Sequence, residues 1–99
     1  MEEEAKRQLT IDLYDLYGSL LTEKQRTYFE DYYFMDLSLS EMAENYGISR
    51  NGVFDQIKRA VSTLEDYENH IHLLDKMKKI GSMEMDSKLK DEILNLLKE

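Results

Sequence analysis

The stretch over residues 39–60 constrains the fold of this chain more than any other, because its residue types fall at the spacing of a helix-turn-helix. Ser38 or Ser40 can cap a short first helix. Gly47 allows the positive φ that a sharp exit from this helix needs. Ser49 can cap a second helix, since its hydroxyl can accept a hydrogen bond from a free backbone N–H two or three residues on. The stretch therefore predicts two helices joined by a tight turn.

The apolar residues of this stretch predict how the two helices pack. One face of the first helix holds Met42, Ala43 and Tyr46. The second helix is expected to rest on that face through Ile48, Val53 and Ile57. Ala43 is small and lies where the helices cross, so a larger side chain there would push them apart.

Composition narrows the class of protein. The chain has 99 residues, no cysteine and no proline, so no disulfide or thiolate metal site is expected, and a reducing cytoplasm is the natural compartment. The acidic N-terminus does not resemble a signal peptide, and no apolar run approaches the ~20 residues that span a bilayer. We expect a single-domain protein that does not bind a membrane.

The formal net charge of −8 is unevenly distributed. Residues 1–48 carry −7 and residues 61–75 carry −4, whereas residues 49–60 carry +2 and residues 76–99 carry +1. Only the second helix of the motif and the C-terminal tail are therefore basic. This acidic balance argues against strong, autonomous DNA binding.

Two helices are predicted before the motif. The first covers residues 5–17 and starts an apolar stripe formed by Leu9, Leu13, Leu16 and Leu20. Thr22 and Gln25 form the capping-box pattern that begins the second, over about residues 23–35. An aromatic face on this helix is formed by Tyr28, Phe29, Tyr32, Tyr33 and Met35. We interpret this face as core rather than as a stacking platform for single-stranded bases, because its neighbours Glu30 and Asp31 are acidic.

After the motif, a helical pattern continues to residue 80, and its length of about thirty residues corresponds to roughly 45 Å. Its apolar seam has the alternating spacing of a coiled coil and comprises Ile57, Ala60, Leu64, Tyr67, Ile71 and Leu74. The far half of this long helix must be covered by the N-terminal helix of the same chain, by the equivalent helix of a second copy, or by both. We expect a homodimer whose dimerisation residues are Leu64, Tyr67, Ile71 and Leu74.

The C-terminal residues predict a shorter helix after a break at Gly81. Residues 83–86 are expected to be irregular and residues 87–98 to be helical. This last helix either folds back on the long helix or docks on another protein. The predicted organisation is thus a helix-turn-helix domain with a long dimerisation helix over residues 1–80 and a short helix within residues 81–99.

A few polar residues could indicate chemistry. Glu68, His70, His72 and Asp75 lie close together in the sequence, and Glu68 and His72 could share a metal ion at i, i+4 spacing. A charged, solvated helix face explains the same residues, and no second cluster completes a coordination shell. No paired carboxylates, phosphate loop or nucleophile elbow is present. We therefore expect no catalytic residue, metal or cofactor, and a protein that is not an enzyme.

An ordered series of short segments carries a resemblance to a known family. The series comprises residues 20–25, 32–33, 38–44, 48–50, 53–59 and 64–68. It resembles the YlxM-type helix-turn-helix proteins associated with the bacterial signal recognition particle, and the motif is similar to region 4 of sigma-70-type transcription factors. The resemblance implies an all-α, dimeric protein with a regulatory role that is linked to the targeting machinery by association of genes. The helical pattern after the motif adds a long C-terminal extension helix. A winged helix is not expected.

Two functions follow as hypotheses. In the first, a regulatory protein places the second helix of the motif in a major groove. The candidate nucleic-acid-binding residues are Ser49, Arg50, Asn51, Gly52, Phe54, Asp55, Lys58 and Arg59. Asn51 can pair with adenine, Phe54 can contact a thymine methyl group, and Asp55 can accept a hydrogen bond from the cytosine amino group. Lys58 and Arg59 can contact phosphates.

In the second hypothesis, the chain is an interaction module whose acidic long helix contacts a basic partner. The resemblance implies the GTPase subunit of the signal recognition particle and its RNA as partners. A motif that serves only as a dimer scaffold is the remaining alternative.

Overall fold

All regular secondary structure that the computed structural model describes, in residues 3–82 and 87–98, is helical. The predicted all-α fold class is therefore confirmed. The helices are α1 (Glu4–Tyr17), α2 (Glu23–Tyr33), α3 (Leu39–Tyr46), α4 (Arg50–Ile71), α5 (Leu73–Gly81) and α6 (Ser87–Lys98). A 3₁₀ turn, Gly18–Leu20, follows α1.

Side-chain caps begin helices α2 and α3. In the capping box of α2, the backbone N–H of Gln25 donates to the Thr22 hydroxyl at 3.1 Å and the Thr22 N–H donates to the Gln25 amide oxygen at 3.0 Å. Ser38 and Glu41 form the same box at the start of α3. Each box satisfies two backbone groups that have no partner within the helix, which confirms the start of α2 and assigns the cap of α3 to Ser38.

The core lies between α4 and the three helices before it. Its fully buried side chains include Phe29 of α2, Met42 of α3, and Val53 and Leu64 of α4. Burying a side chain of this size stabilises the fold by ~1.5–3 kcal/mol. Because α4 contacts all three earlier helices, these residues fix its rotation about its own axis.

Aromatic rings join α1 and α2. The Phe29 ring stacks on Tyr14 with centroids 4.3 Å apart and on Tyr33 with centroids 4.4 Å apart. Tyr28 and Tyr33 are also buried, which confirms the interpretation of these α2 aromatics as core. Met35 does not belong to this face, because α2 ends at Tyr33 and the Met35 side chain lies in solvent beyond it.

The predicted apolar stripe of α1 is only partly correct, because Leu13 is buried and Leu16 packs partly buried against the core, but the other two leucines do not. The buried residues of α1 are Thr10, Leu13 and Tyr17, whereas Leu9 is 43% exposed and Leu20 is also exposed. The Thr10 hydroxyl donates to the Lys6 carbonyl at 3.1 Å, so its polar group is satisfied inside the helix and its methyl group can be buried. The Tyr17 ring is buried in the core, a position that the leucine pattern does not predict.

The predicted continuous helix over residues 50–80 is also wrong. Helix α4 ends at Ile71, and His72 adopts φ 56° and ψ 30°, a left-handed conformation that redirects the chain before α5 begins. Such a conformation costs about 1–2 kcal/mol in a residue with a Cβ, so something must compensate for it.

The compensation comes from the joint between α4 and α5, formed by Tyr17, Glu68 and the first turn of α5. The Tyr17 hydroxyl donates to Glu68 Oε1 at 2.7 Å and accepts from the Leu73 N–H at 3.2 Å. The two Glu68 carboxylate oxygens accept from the N–H groups of Leu74 and Asp75, at 3.0 and 3.2 Å. A carboxylate at a helix N-terminus is favourable because it meets free N–H groups and the positive end of the helix dipole.

This bend corrects the predicted coiled-coil seam. Leu64 is 0% exposed, so it belongs to the core of the single chain and offers no surface to a second copy. Tyr67 and Leu74 pack partly against the same core, and the Tyr67 ring lies 6.0 Å from that of Tyr17. Of the four predicted dimerisation residues, only Ile71 is exposed. Dimerisation itself stays a prediction.

The predicted C-terminal helix is confirmed as α6, which packs against α5. Neither α5 nor α6 contains a fully buried residue among those described. The irregular segment predicted for residues 83–86 lies outside the described residues, and the predicted boundary between residues 80 and 81 stays a prediction. Within the described ranges, no helix is both long and apolar enough to cross a membrane.

We expect Tyr17→Phe to destabilise the fold by ~1.5–3 kcal/mol, because it removes a hydrogen bond to a carboxylate and leaves the Leu73 N–H without its acceptor. Urea unfolding at neutral pH measures this change. The matched control is Tyr32→Phe, which removes a hydroxyl that makes no hydrogen bond within the described residues. Equal losses in the two variants would contradict the role of the joint.

The same joint predicts a loss of stability at alkaline pH. Burial, together with the hydrogen bond to Glu68, raises the pKa of Tyr17 from 10.0 to about 12. Because the folded pKa is above the unfolded one, this contribution is fully present below pH ~10 and is lost as the pH rises through about 12. The free energy of unfolding should therefore fall over this range, and should fall less in Tyr17→Phe. The fall that remains comes partly from Tyr46, whose hydrogen bond with Asp31 raises its pKa to about 12.

Candidate nucleic-acid interface

The turn between α3 and α4 has the conformation that the sequence predicts. Gly47 adopts φ 66° and ψ 34°, and its N–H donates to the Ala43 carbonyl. The Ile48 N–H donates to the same carbonyl at 3.1 Å. The Ser49 hydroxyl accepts from the Gly52 N–H at 3.0 Å and caps α4. Backbone groups at the end of α3 and the start of α4 are therefore satisfied locally, and the turn is short.

The inner side of α4 is a stripe of buried residues: Val53, Ile57, Ala60 and Leu64. The prediction that the packing passes through Val53 and Ile57 is confirmed. Ile48 is exposed, which corrects its predicted place in the seam, because Ile48 precedes the helix and does not share its periodicity. Ala43 packs partly buried against the core.

The outer side of α4 carries most of the predicted nucleic-acid-binding residues. Exposed side chains there are those of Arg50, Asn51, Phe54, Asp55, Lys58 and Arg59. Ser49 is exposed, but its hydroxyl is engaged as the cap. Gly52 is half-buried beside Ser49 and Ile48, and a Cβ there would lie 3.2 Å from the Ser49 hydroxyl oxygen. Gly52 thus supports the cap instead of presenting a side chain.

Two of these residues neutralise each other. Arg59 Nε lies 3.0 Å from the Asp55 carboxylate, one helical turn away. Such an exposed pair contributes little to stability, but it moderates the repulsion that Asp55 would exert on a phosphate. Arg50 and Lys58 are then the cations of this face with no ion pair in the described residues.

The start of α4 and the start of α3 border a shallow, open recess of about 580 Å³. Its lining residues are Leu39, Ser49, Arg50, Asn51 and Phe54. Sequence reasoning identified all of these except Leu39, the first residue of α3. Its position directly after the cap Ser38 gave no sign that it would approach the second helix.

The residues considered for a metal site serve the fold instead. Glu68 accepts the N–H groups at the start of α5, and the His70 Nδ1 lies 2.7 Å from the Asp66 carbonyl oxygen. In residues 3–82 and 87–98, no three acidic, histidine or cysteine side chains converge on a common point.

A tight α3–α4 turn, a buried inner side and a solvent-facing outer side of α4 together define a helix-turn-helix protein. A family model described as "Putative helix-turn-helix protein, YlxM / p13 like" matches residues 4–99. The chain belongs to this family, UPF0122, which confirms the family predicted from the sequence.

Members of the family from several bacteria are similar to this chain. A UPF0122 protein of Shouchella clausii is 53% identical over 64 residues, which cover 65% of this chain and 59% of that protein. One from Halalkalibacterium halodurans is 47% identical over 87 residues, which cover 88% of this chain and 71% of that protein. One from Thermoanaerobacter sp. is 44% identical over 97 residues, which cover 88% of this chain and 83% of that protein. The match thus spans less than two thirds of the length of the Shouchella clausii protein and more than two thirds of the length of the other two proteins.

We expect Gly47→Ala to destabilise the fold by roughly 1–2 kcal/mol through backbone conformation alone. A Cβ at this position meets no atom within 4 Å, so no steric clash adds to the cost. Gly47→Asn should lose less, because asparagine tolerates the left-handed conformation. Urea unfolding of both variants measures the difference, and a larger loss in Gly47→Asn than in Gly47→Ala would contradict this explanation.

Proposed function

We propose that the protein is a cytoplasmic, non-enzymatic regulatory protein that binds duplex DNA by placing the N-terminal half of α4 in the major groove. The observation that carries this proposal is the outer side of α4, where Arg50, Asn51 and Lys58 are exposed together on a helix whose opposite side is fully used by the core.

The dimensions of the motif agree with this arrangement. A helix with its side chains is about 10–12 Å across, and the major groove is about 12 Å wide. The residues in the first turn of α4 would reach base edges, as in other helix-turn-helix proteins. Lys58 follows two turns after Arg50 along the helix and would meet a phosphate.

Charge limits the affinity that this face can supply. Residues 49–60 carry only +2, in a chain whose net charge is −8. Few phosphates can be neutralised, so we expect a shallow dependence of affinity on salt and binding that relies on base contacts.

A second candidate function is an accessory role in the signal recognition particle pathway, with the particle's GTPase subunit and RNA as partners. The resemblance supports this candidate, and so does the acidic segment over residues 61–75, where Glu65 and Asp66 are exposed. An acidic surface favours association with a basic protein surface. This role is compatible with DNA binding, because the acidic segment and the outer side of the first turns of α4 are different surfaces.

We expect Arg50→Ala to weaken duplex binding by ~1–3 kcal/mol and Lys58→Ala to lower the slope of log K against log salt by about 1. Helicity should not change, since both side chains are exposed. A salt titration of binding to mixed duplex DNA, followed by fluorescence anisotropy, measures both effects. The matched control is Lys76→Ala, which removes an exposed lysine from α5. Equal effects from Lys58→Ala and Lys76→Ala would mean that the outer side of α4 is not the interface.

A further inference from the structure

Phe54 differs from every other aromatic residue of the chain. The chain has seven tyrosines and three phenylalanines, all within the described residues. Nine of these ten rings contact at least one other ring. Phe54 has no ring partner and is 54% exposed, on a helix face that is otherwise polar. The fold therefore makes little use of this ring.

The surroundings of Phe54 are suited to a small apolar group next to hydrogen-bonding groups. Phe54 and the half-buried Leu39 supply the apolar lining of the recess, and Arg50 and Asn51 supply its polar lining. The Ser49 hydroxyl, which also lines the recess, already accepts from the Gly52 N–H. Asn51 and Phe54 are three residues apart on α4, so their side chains lie on the same side of the helix.

We propose that this recess holds the C5-methyl group of a thymine in the DNA major groove while Asn51 contacts an adenine. The inference rests on the proposed function and adds the base class to it. The thymine methyl is the apolar group that an unmodified base pair presents in the major groove, and an asparagine amide pairs with adenine N6 and N7. The two contacts together select A·T base pairs opposite the first turns of α4.

The same recess distinguishes DNA from RNA. Uracil lacks the C5-methyl group, and the deep, narrow major groove of an RNA helix does not admit side chains. A duplex RNA would therefore leave the Phe54 ring in water. A flipped or single-stranded base is a poorer occupant, because only one aromatic ring lines the recess and a net charge of −8 disfavours a long track of phosphates.

The experiment begins with selection of bound duplexes from a random DNA pool by the full-length protein. Each thymine of a selected duplex is then replaced by deoxyuridine, which removes one methyl group. We expect this replacement to lower the affinity of the wild type about fourfold at one or two positions. This is the change that corresponds to the burial of one methyl group on binding. Phe54→Ala should bind the thymine and deoxyuridine duplexes equally.

The matched control is Leu20→Ala, which shortens an equally exposed apolar side chain in the 3₁₀ turn after α1, outside the motif, and should retain the wild-type discrimination. Equal binding of both duplexes by the wild type, or discrimination that persists in Phe54→Ala, would overturn the thymine site while leaving DNA binding intact. Recovery of no duplex from the pool would overturn the proposed function and the thymine site together.

Discussion

The burial of one side of α4 is the constraint on which the rest of the structure depends. Val53, Ile57, Ala60 and Leu64 are held by α1, α2 and α3 at once, so α4 cannot rotate about its axis without exposing several of them. Because a helix repeats every 3.6 residues, this burial places Asn51 and Lys58 on the opposite side and Phe54 at the edge between the two sides. The same packing that stabilises the fold thus determines which side chains can reach a ligand.

The features that could be predicted from the sequence are those that depend on residues close together in the chain. The conformation of Gly47 and the caps at Thr22, Ser38 and Ser49 each depend on atoms within about one helical turn. The exposure of the α4 residues follows from periodicity, once Val53 and Ile57 are assigned to the core. For this reason the exposure of the outer α4 residues agrees with its prediction more closely than the course of the chain after Ile71 does.

The features that could not be predicted depend on contacts between distant residues. The break at His72 is held by Tyr17, which is 56 residues before Leu73, and no local pattern announces a left-handed histidine. The burial of Tyr17 in α1 is not predicted by the leucine spacing either, because its hydroxyl bonds to Glu68, 51 residues further along the chain. Leu39 entered the recess only through the tertiary approach of α3 to α4.

The most direct test of the account is to map the DNA-contacting residues by NMR. Backbone amide shifts of the 11.8 kDa chain would be followed during titration with a bound duplex selected from a random pool. We expect the largest changes to cluster over residues 49–59 and at Leu39, with α5 and α6 little affected. Changes concentrated on the acidic residues 61–75 or on α5 and α6 would contradict it, because the outer side of α4 would then not be the surface that binds DNA.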